Sequence, residues 1–230
     1  MNYIKPRQTQ VGFSLVEMAV VLAIVALLLG GLLPTLSSQV EQQRRSETLK
    51  QMAEIKEALI GYAIINGALP CPTTQADPTN AGYGVAATTC SAPTTQGYLP
   101  WKTLGLSETD AWGIKRTGTA SPWLGYFRYR VEPSFAVPFT LATTSNSTLD
   151  LQVKDTAGNR LTNTTERPVA IFFSTGPNKI PDGGNASFED ITNPPAIYQA
   201  DVPSANFDDL TLWISRPVLF NRMVAAYKLP

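Results

Sequence analysis

Six carboxylates crowd the stretch between Ile180 and Ser215, with no lysine or arginine among them: Asp182, Glu189, Asp190, Asp201, Asp208 and Asp209. Together with Asn178, Asn185, Asn193 and loop carbonyls, they could supply a hard oxygen cage for calcium. The other reading is a solvated acidic loop in which Asp and Asn form turns. A different carboxylate, Glu17, stands alone in an apolar run from Phe13 to Leu33 that only it and Ser14 interrupt. A carboxylate in a membrane helix costs on the order of 2–3 kcal/mol, so Glu17 calls for a partner and a purpose.

Other chemistry is sparse. The 230 residues contain no histidine, which removes His-based triads, the zinc-protease helix motif and most imidazole metal sites. Cys71 and Cys90 are too few for a four-thiolate zinc site but can form one disulfide. Without histidine or a phosphate-binding glycine loop, catalysis would need paired carboxylates or a Ser-Lys pair, and the chain is not expected to be an enzyme. Eighteen Lys+Arg balance eighteen Asp+Glu, and residues 67–230 hold 12 bases and 13 acids with no basic run. Nucleic acid is therefore not expected as a partner; a basic patch of Lys115, Arg116, Arg128 and Arg130 could form only in three dimensions.

The elements that must position these groups begin at the N-terminus. No charge occurs between Met18 and Val40, and the only charges among the first twelve residues are Lys5 and Arg7. The apolar run is long enough to span a bilayer, and its positive flank predicts a cytoplasmic N-terminus with the remainder outside. From Glu41 to Asn66 the pattern becomes a charged amphipathic helix, with Met52, Ile55, Leu59 and Tyr62 on one face and Asn66-Gly67 as the stop. Beyond it, four segments alternate as strands: Phe127/Tyr129/Val131, Leu149/Leu151/Val153, Val169/Ile171/Phe173 and Leu210/Leu212/Ile214. With no long helix between them, an antiparallel sheet is expected. Residues 72–97 read as a loop, and Pro217 opens a short helix through Tyr227.

Gly12-Phe13-Ser14-Leu15-Val16-Glu17 resembles the processing site of type IV prepilins and type II secretion pseudopilins. The resemblance implies that a membrane peptidase cuts after Gly12 and methylates Phe13, making Glu17 the fifth mature residue and Pro34 the twenty-second, where the family has a helix-kinking proline. Gly12 would let the backbone enter a protease cleft without a side-chain clash. Glu17 of one subunit would neutralise the new ammonium at Phe13 of its neighbour during assembly. Gly30, Gly31 and Pro34 weaken helix hydrogen bonding, so a kink or local melting is expected between 30 and 35.

The implied fold is pilin-like α+β. It comprises a leader at 1–12, a long helix at 13–66 with its membrane-spanning part at 13–35, and a periplasmic, β-rich head at 67–230. The implied partners are prepilin peptidase, other pilins or pseudopilins and an inner-membrane assembly platform. The implied role is a structural subunit, by its length a minor one, of a type II secretion pseudopilus or a type IV pilus. The alternative is a fibre-tip subunit whose head binds DNA, a surface or a secreted substrate.

A periplasmic head would allow Cys71 and Cys90 to bond, with two buried thiols as the alternative. Gly97-Tyr98-Leu99-Pro100-Trp101 and Asp110-Ala111-Trp112-Gly113 resemble the turn-rich stretch before the pseudopilin sheet, with alanine where proline is common. Ser174 to Gly184 resembles the start of the calcium loop of major pseudopilins, although a Pro/Asn-rich insertion at 192–206 departs from it. No cofactor is required; calcium is the one implied, with Asn178, Asp182, Glu189, Asp190, Asp208 and Asp209 as its candidate ligands.

Overall fold

A single 52-residue helix, α1 (Leu15–Asn66), opens the fold. The computed structural model describes residues 12, 14–90, 96–145, 151–165, 167–189 and 196–229, and no side chains at 29–36. The chain divides into two units, 1–43 and 44–230. In the first, the described apolar side chains of α1 are exposed, with Leu15, Leu22 and Leu27 at 86 %, 68 % and 79 %. That fits an apolar surface running all round the helix rather than a one-sided stripe.

The second unit is built on a four-stranded antiparallel sheet of order β1-β2-β4-β6, comprising β1 (Gln96–Tyr98), β2 (Arg128–Val131), β4 (Pro168–Ser174) and β6 (Leu210–Ser215). Between these strands lie α2 (Trp101–Leu104), β3 (Gln152–Lys154) and β5 (Ile197–Gln199); α3 (Arg216–Ala225) follows β6 directly. α1 ends where Gly67 turns left-handed at φ +73° and its N–H closes on the Ala63 carbonyl at 2.8 Å. Glycine suits that position because it lacks the Cβ that would crowd it.

All seven residues of β4 are buried, and the reason is that the sheet is covered on both faces. On one face Ala170 and Phe172 pack with Tyr129, Val131 and Ile214 against Met52, Ile55, Leu59 and Ala63 of α1. On the other, Ile171 and Phe173 pack against Leu151, Val153, Phe188 and Tyr198. Ile60 and Ala63 take inner positions on α1 while Tyr62 is only half-buried, so the buried face differs slightly from the expected one. The small Ala63 allows close approach, whereas Tyr62 keeps its bulk outside.

The Leu149–Val153 segment departs from expectation. Its described part, β3, is not a strand of the main sheet but pairs in parallel with β5 in a separate two-stranded sheet. Leu151 and Val153 lie across the second face of the main sheet, where Ile171 and Phe173 need cover, so the alternation reports burial there rather than membership of the sheet.

The structure joins Cys71 to Cys90, with Cα atoms 5.7 Å apart and a sequence separation of 19. Closing a loop of that size is worth roughly 3 kcal/mol on the chain-entropy model. Replacing both cysteines by serine should lower the unfolding free energy by about that amount. Denaturant titration of both proteins measures it; an unchanged midpoint at equal slope would contradict it.

Candidate functional site

At the N-terminus, the Glu17 side chain caps the Ser14 backbone, and the Ser14 side chain caps the Val16 backbone. The Ser14 N–H donates to Glu17 Oε2 at 2.9 Å, and the Val16 N–H reaches Ser14 Oγ at 3.4 Å. This is one half of a Ser-x-x-Glu box, with the serine accepting from the second helical N–H instead of the third, and it closes two of the open donors of the helix start. The Ser-x-x-Glu spacing is the sequence signal for this cap. Gly12 is exposed, and a Cβ built on it would meet nothing within 4 Å. Phe13, the expected first mature residue, lies outside the described residues.

α1 is assigned as helix through Gly30, Gly31 and Pro34, where the sequence predicts a kink or local melting. Among the described residues no helix is long and apolar enough to cross a membrane. The expected span at 13–35 takes in Phe13 and residues 29–35, which fall outside the described side chains.

The acidic segment separates into parts. Asp182, Asp208 and Asp209 each bring a carboxylate oxygen to within 4.8 Å of the others. Asp209, only 1 % exposed, accepts through Oδ2 from the Asp182 N–H at 3.0 Å and from Asn185 Nδ2 at 2.9 Å. Its Oδ1 is buried with no hydrogen-bond partner. Burial lifts its carboxyl to about 7, opposed by the two hydrogen bonds and reinforced by the neighbouring Asp182 and Asp208 charges.

Backbone donors hold the cluster together: the Asp208 N–H reaches Asp182 Oδ2 at 3.0 Å, and the Asn178 N–H reaches Asp208 Oδ2 at 3.3 Å. Gly176, at φ +59°, lets the loop close, since a Cβ there would sit 2.5 Å from Asp208 Oδ1. Asn178 stands beside the cluster but presents its amide nitrogen, Nδ2, to Asp182, while its Oδ1 accepts from the Ile180 N–H.

Glu189 does not join them. Its Oε1 accepts from Arg128 Nε at 3.1 Å and Nη2 at 2.9 Å, and its Oε2 from the Tyr98 hydroxyl at 2.8 Å. A nearly buried guanidinium needs a counter-charge, and Glu189 supplies it. Asp190 lies outside the described residues.

The same burial removes the hypothetical basic patch. Arg116, Arg128 and Arg130 are 6 %, 4 % and 0 % exposed, and Arg116 spends its guanidinium on the carbonyls of Ala76, Gly118, Thr119 and Ser121. Only Lys115 reaches the surface, beside Glu108 at 3.6 Å.

The two turn motifs serve the fold. Asp110 accepts from the Trp112 N–H at 2.9 Å and from Ser174 Oγ at 2.5 Å, while the Ala111 N–H reaches Thr48 Oγ1 at 3.3 Å. The segment thereby ties α1 to the end of β4. Burial raises the Asp110 carboxyl above its usual range, against the pull of those donors. Trp101 joins Tyr83, Tyr98 and Tyr126 in an aromatic cluster, whereas Trp112 enters the core under α1.

A long N-terminal helix followed by an antiparallel-sheet head fits the pilin-like α+β fold. Residues 8–33 match the family model described as the prokaryotic N-terminal methylation motif, the signature of type IV pilin and pseudopilin substrates of prepilin peptidase. No curated protein and no solved structure matches the chain. The motif implies processing by prepilin peptidase, assembly with other pilins and an N-terminus anchored in the inner membrane.

Proposed function

We propose that this chain is a structural subunit of a type II secretion pseudopilus or a type IV pilus, cut after Gly12, methylated at Phe13 and drawn from the inner membrane into a fibre by an assembly platform. The methylation motif at 8–33 carries this reading. The exposed apolar side chains of α1 support it, because such a surface needs lipid or neighbouring helices around it. The head would face the periplasm, where its disulfide is stable. The length favours a minor subunit. Mass spectrometry of chain extracted from cells with and without prepilin peptidase tests the reading. The N-terminus should begin at Phe13 only where the peptidase is present, and an intact Met1 in both would refute it. For the alternative of a DNA-binding tip, the burial of Arg116, Arg128 and Arg130 removes the electrostatic support.

Calcium at Asp182, Asp208 and Asp209 is a second proposal, favoured by the buried Asp209 Oδ1 that has no hydrogen-bond partner beside two further carboxylates. The donor set is all oxygen, as a hard cation prefers. Calcium at a hundred times its dissociation constant should stabilise the chain by about 2.7 kcal/mol, or roughly 5–10 °C in melting temperature. Asp209→Asn should abolish the calcium-dependent part of the shift. Equal melting temperatures in calcium and in chelator would rule the site out.

A further inference from the structure

Three aromatic side chains, Tyr98, Trp123 and Phe188, line a pocket of about 320 Å³ beside β1, and Thr74 and Glu189 border it. That volume lies at the lower end of the range for small-molecule sites. The pocket is separate from the Asp182, Asp208 and Asp209 cluster. Its walls are fixed before any ligand arrives. Trp123 stacks on Tyr98 with ring centroids 3.8 Å apart, and the Arg116 guanidinium lies 4.1 Å from the Trp123 centroid. Phe188 meets Phe173 edge-on at 5.2 Å, and its carbonyl accepts from Gln96 Nε2 at 2.9 Å. Gln96 Oε1 in turn accepts from the buried Arg130 Nη1 at 2.9 Å. Walls held in this way lose little freedom when a ligand binds.

Charge and hydrogen bonding define the ligand. The Glu189 side chain is 48 % exposed where it borders the pocket. Arg128 Nε and Nη2 fill both lone pairs of its Oε1, and the Tyr98 hydroxyl takes one on Oε2, which leaves one acceptor position on Oε2. The charge of Glu189 is already committed to a buried guanidinium. A cationic ligand would compete with Arg128 for it, and an anionic ligand would be repelled by it. A purely apolar ligand would strip water from the remaining lone pair and replace it with nothing. Trp123 and Thr74 bring an indole N–H and a hydroxyl to the lining, both of them neutral donors. What suits these walls is a neutral molecule with hydroxyls set beside hydrocarbon surface. A sugar ring has that makeup, with C–H groups for the aromatic side chains and hydroxyls that both donate and accept.

We propose that the pocket of Tyr98, Trp123, Phe188, Thr74 and Glu189 binds a neutral sugar ring. One sugar hydroxyl donates to Glu189 Oε2, and the ring C–H groups pack on the aromatic walls. The inference does not depend on the fibre-subunit reading above. On a fibre, it would add recognition to a mechanical part.

The test uses the full-length chain in a detergent without a sugar headgroup. D-glucose, D-galactose and N-acetyl-D-glucosamine are titrated singly and followed by saturation-transfer NMR, with ethylammonium, acetate and p-cresol as the cationic, anionic and apolar comparisons. At least one sugar should bind with a dissociation constant on the order of 1 mM, and more tightly than any of the three comparisons. Thr74 is exposed, so Thr74→Trp should fill the mouth of the pocket at an unchanged melting temperature and weaken binding at least about tenfold. Trp123→Phe keeps a ring in the wall but removes the indole N–H, and should weaken binding roughly 2- to 12-fold; it decides the matter if Thr74→Trp disturbs the fold. No binding of any of the three sugars at concentrations on the order of 50 mM would overturn the proposal. So would tighter binding of a comparison compound, or an affinity that neither variant changes.

Discussion

With Gly12→Trp, the chain is expected to remain at its full 230 residues in the membrane fraction, while the wild type loses residues 1–12. The reason lies in the peptidase rather than in the fold. Gly12 is exposed, its φ is not in the left-handed region, and a Cβ there meets nothing within 4 Å. The substitution should leave the melting temperature of the head unchanged. Its effect falls on the scissile bond, which a bulky side chain holds away from the peptidase's catalytic groups. Displacement by about an ångström slows catalysis on the order of a hundredfold. Intact-mass measurement over a time course reads this directly. Processing of Gly12→Trp at the wild-type rate would show that cleavage does not occur after residue 12.

Glu17→Gln is expected to separate processing from assembly. Glutamine can still accept from the Ser14 N–H, so the helix start survives. What it removes is the negative charge proposed to meet the ammonium that cleavage creates at Phe13. Breaking a buried ion pair by deleting one partner costs about 3–5 kcal/mol, which corresponds to a loss of roughly 100- to 4000-fold. The variant should be cut normally yet be depleted from sheared or sedimented fibres by that order. Immunoblots of the membrane and fibre fractions measure both steps in one sample. Wild-type amounts of Glu17→Gln in the fibre would reduce Glu17 to a helix cap.

Local signals were the most legible in the sequence. The processing motif is contiguous, the α1 stop at Asn66-Gly67 follows from one residue's backbone freedom, and β4 is apolar at both alternations because both its faces are covered. Short strands were not legible: β1 and β5 have three residues each, too few for alternation to register. In the Leu149–Val153 segment the alternation marks a strand, and the described Leu151 and Val153 are buried, but alternation cannot say which strand lies alongside, and β3 pairs outside the main sheet. In the acidic segment, composition grouped six carboxylates that folding divides. Asp182, Asp208 and Asp209 meet where two loops close, while Glu189 is drawn away by the buried Arg128, 61 positions earlier in the chain. Spacing along the chain carries no information about such a long-range counter-charge. Arg130, fully buried and bonded to Gln96 Oε1 at 2.9 Å, misled the sequence reading in the same way.

The cap that Ser14 and Glu17 place on the start of α1 bears on the order of events at the membrane. The expected cut falls between residues 12 and 13, whereas the cap pair and the first helical carbonyl, which accepts from the Met18 N–H at 3.2 Å, all belong to the mature chain. Among the described residues, none of these bonds involves the leader. If the cut falls there, the capped start of α1 is carried into the mature subunit intact, with a methylated amine at Phe13 in place of the leader.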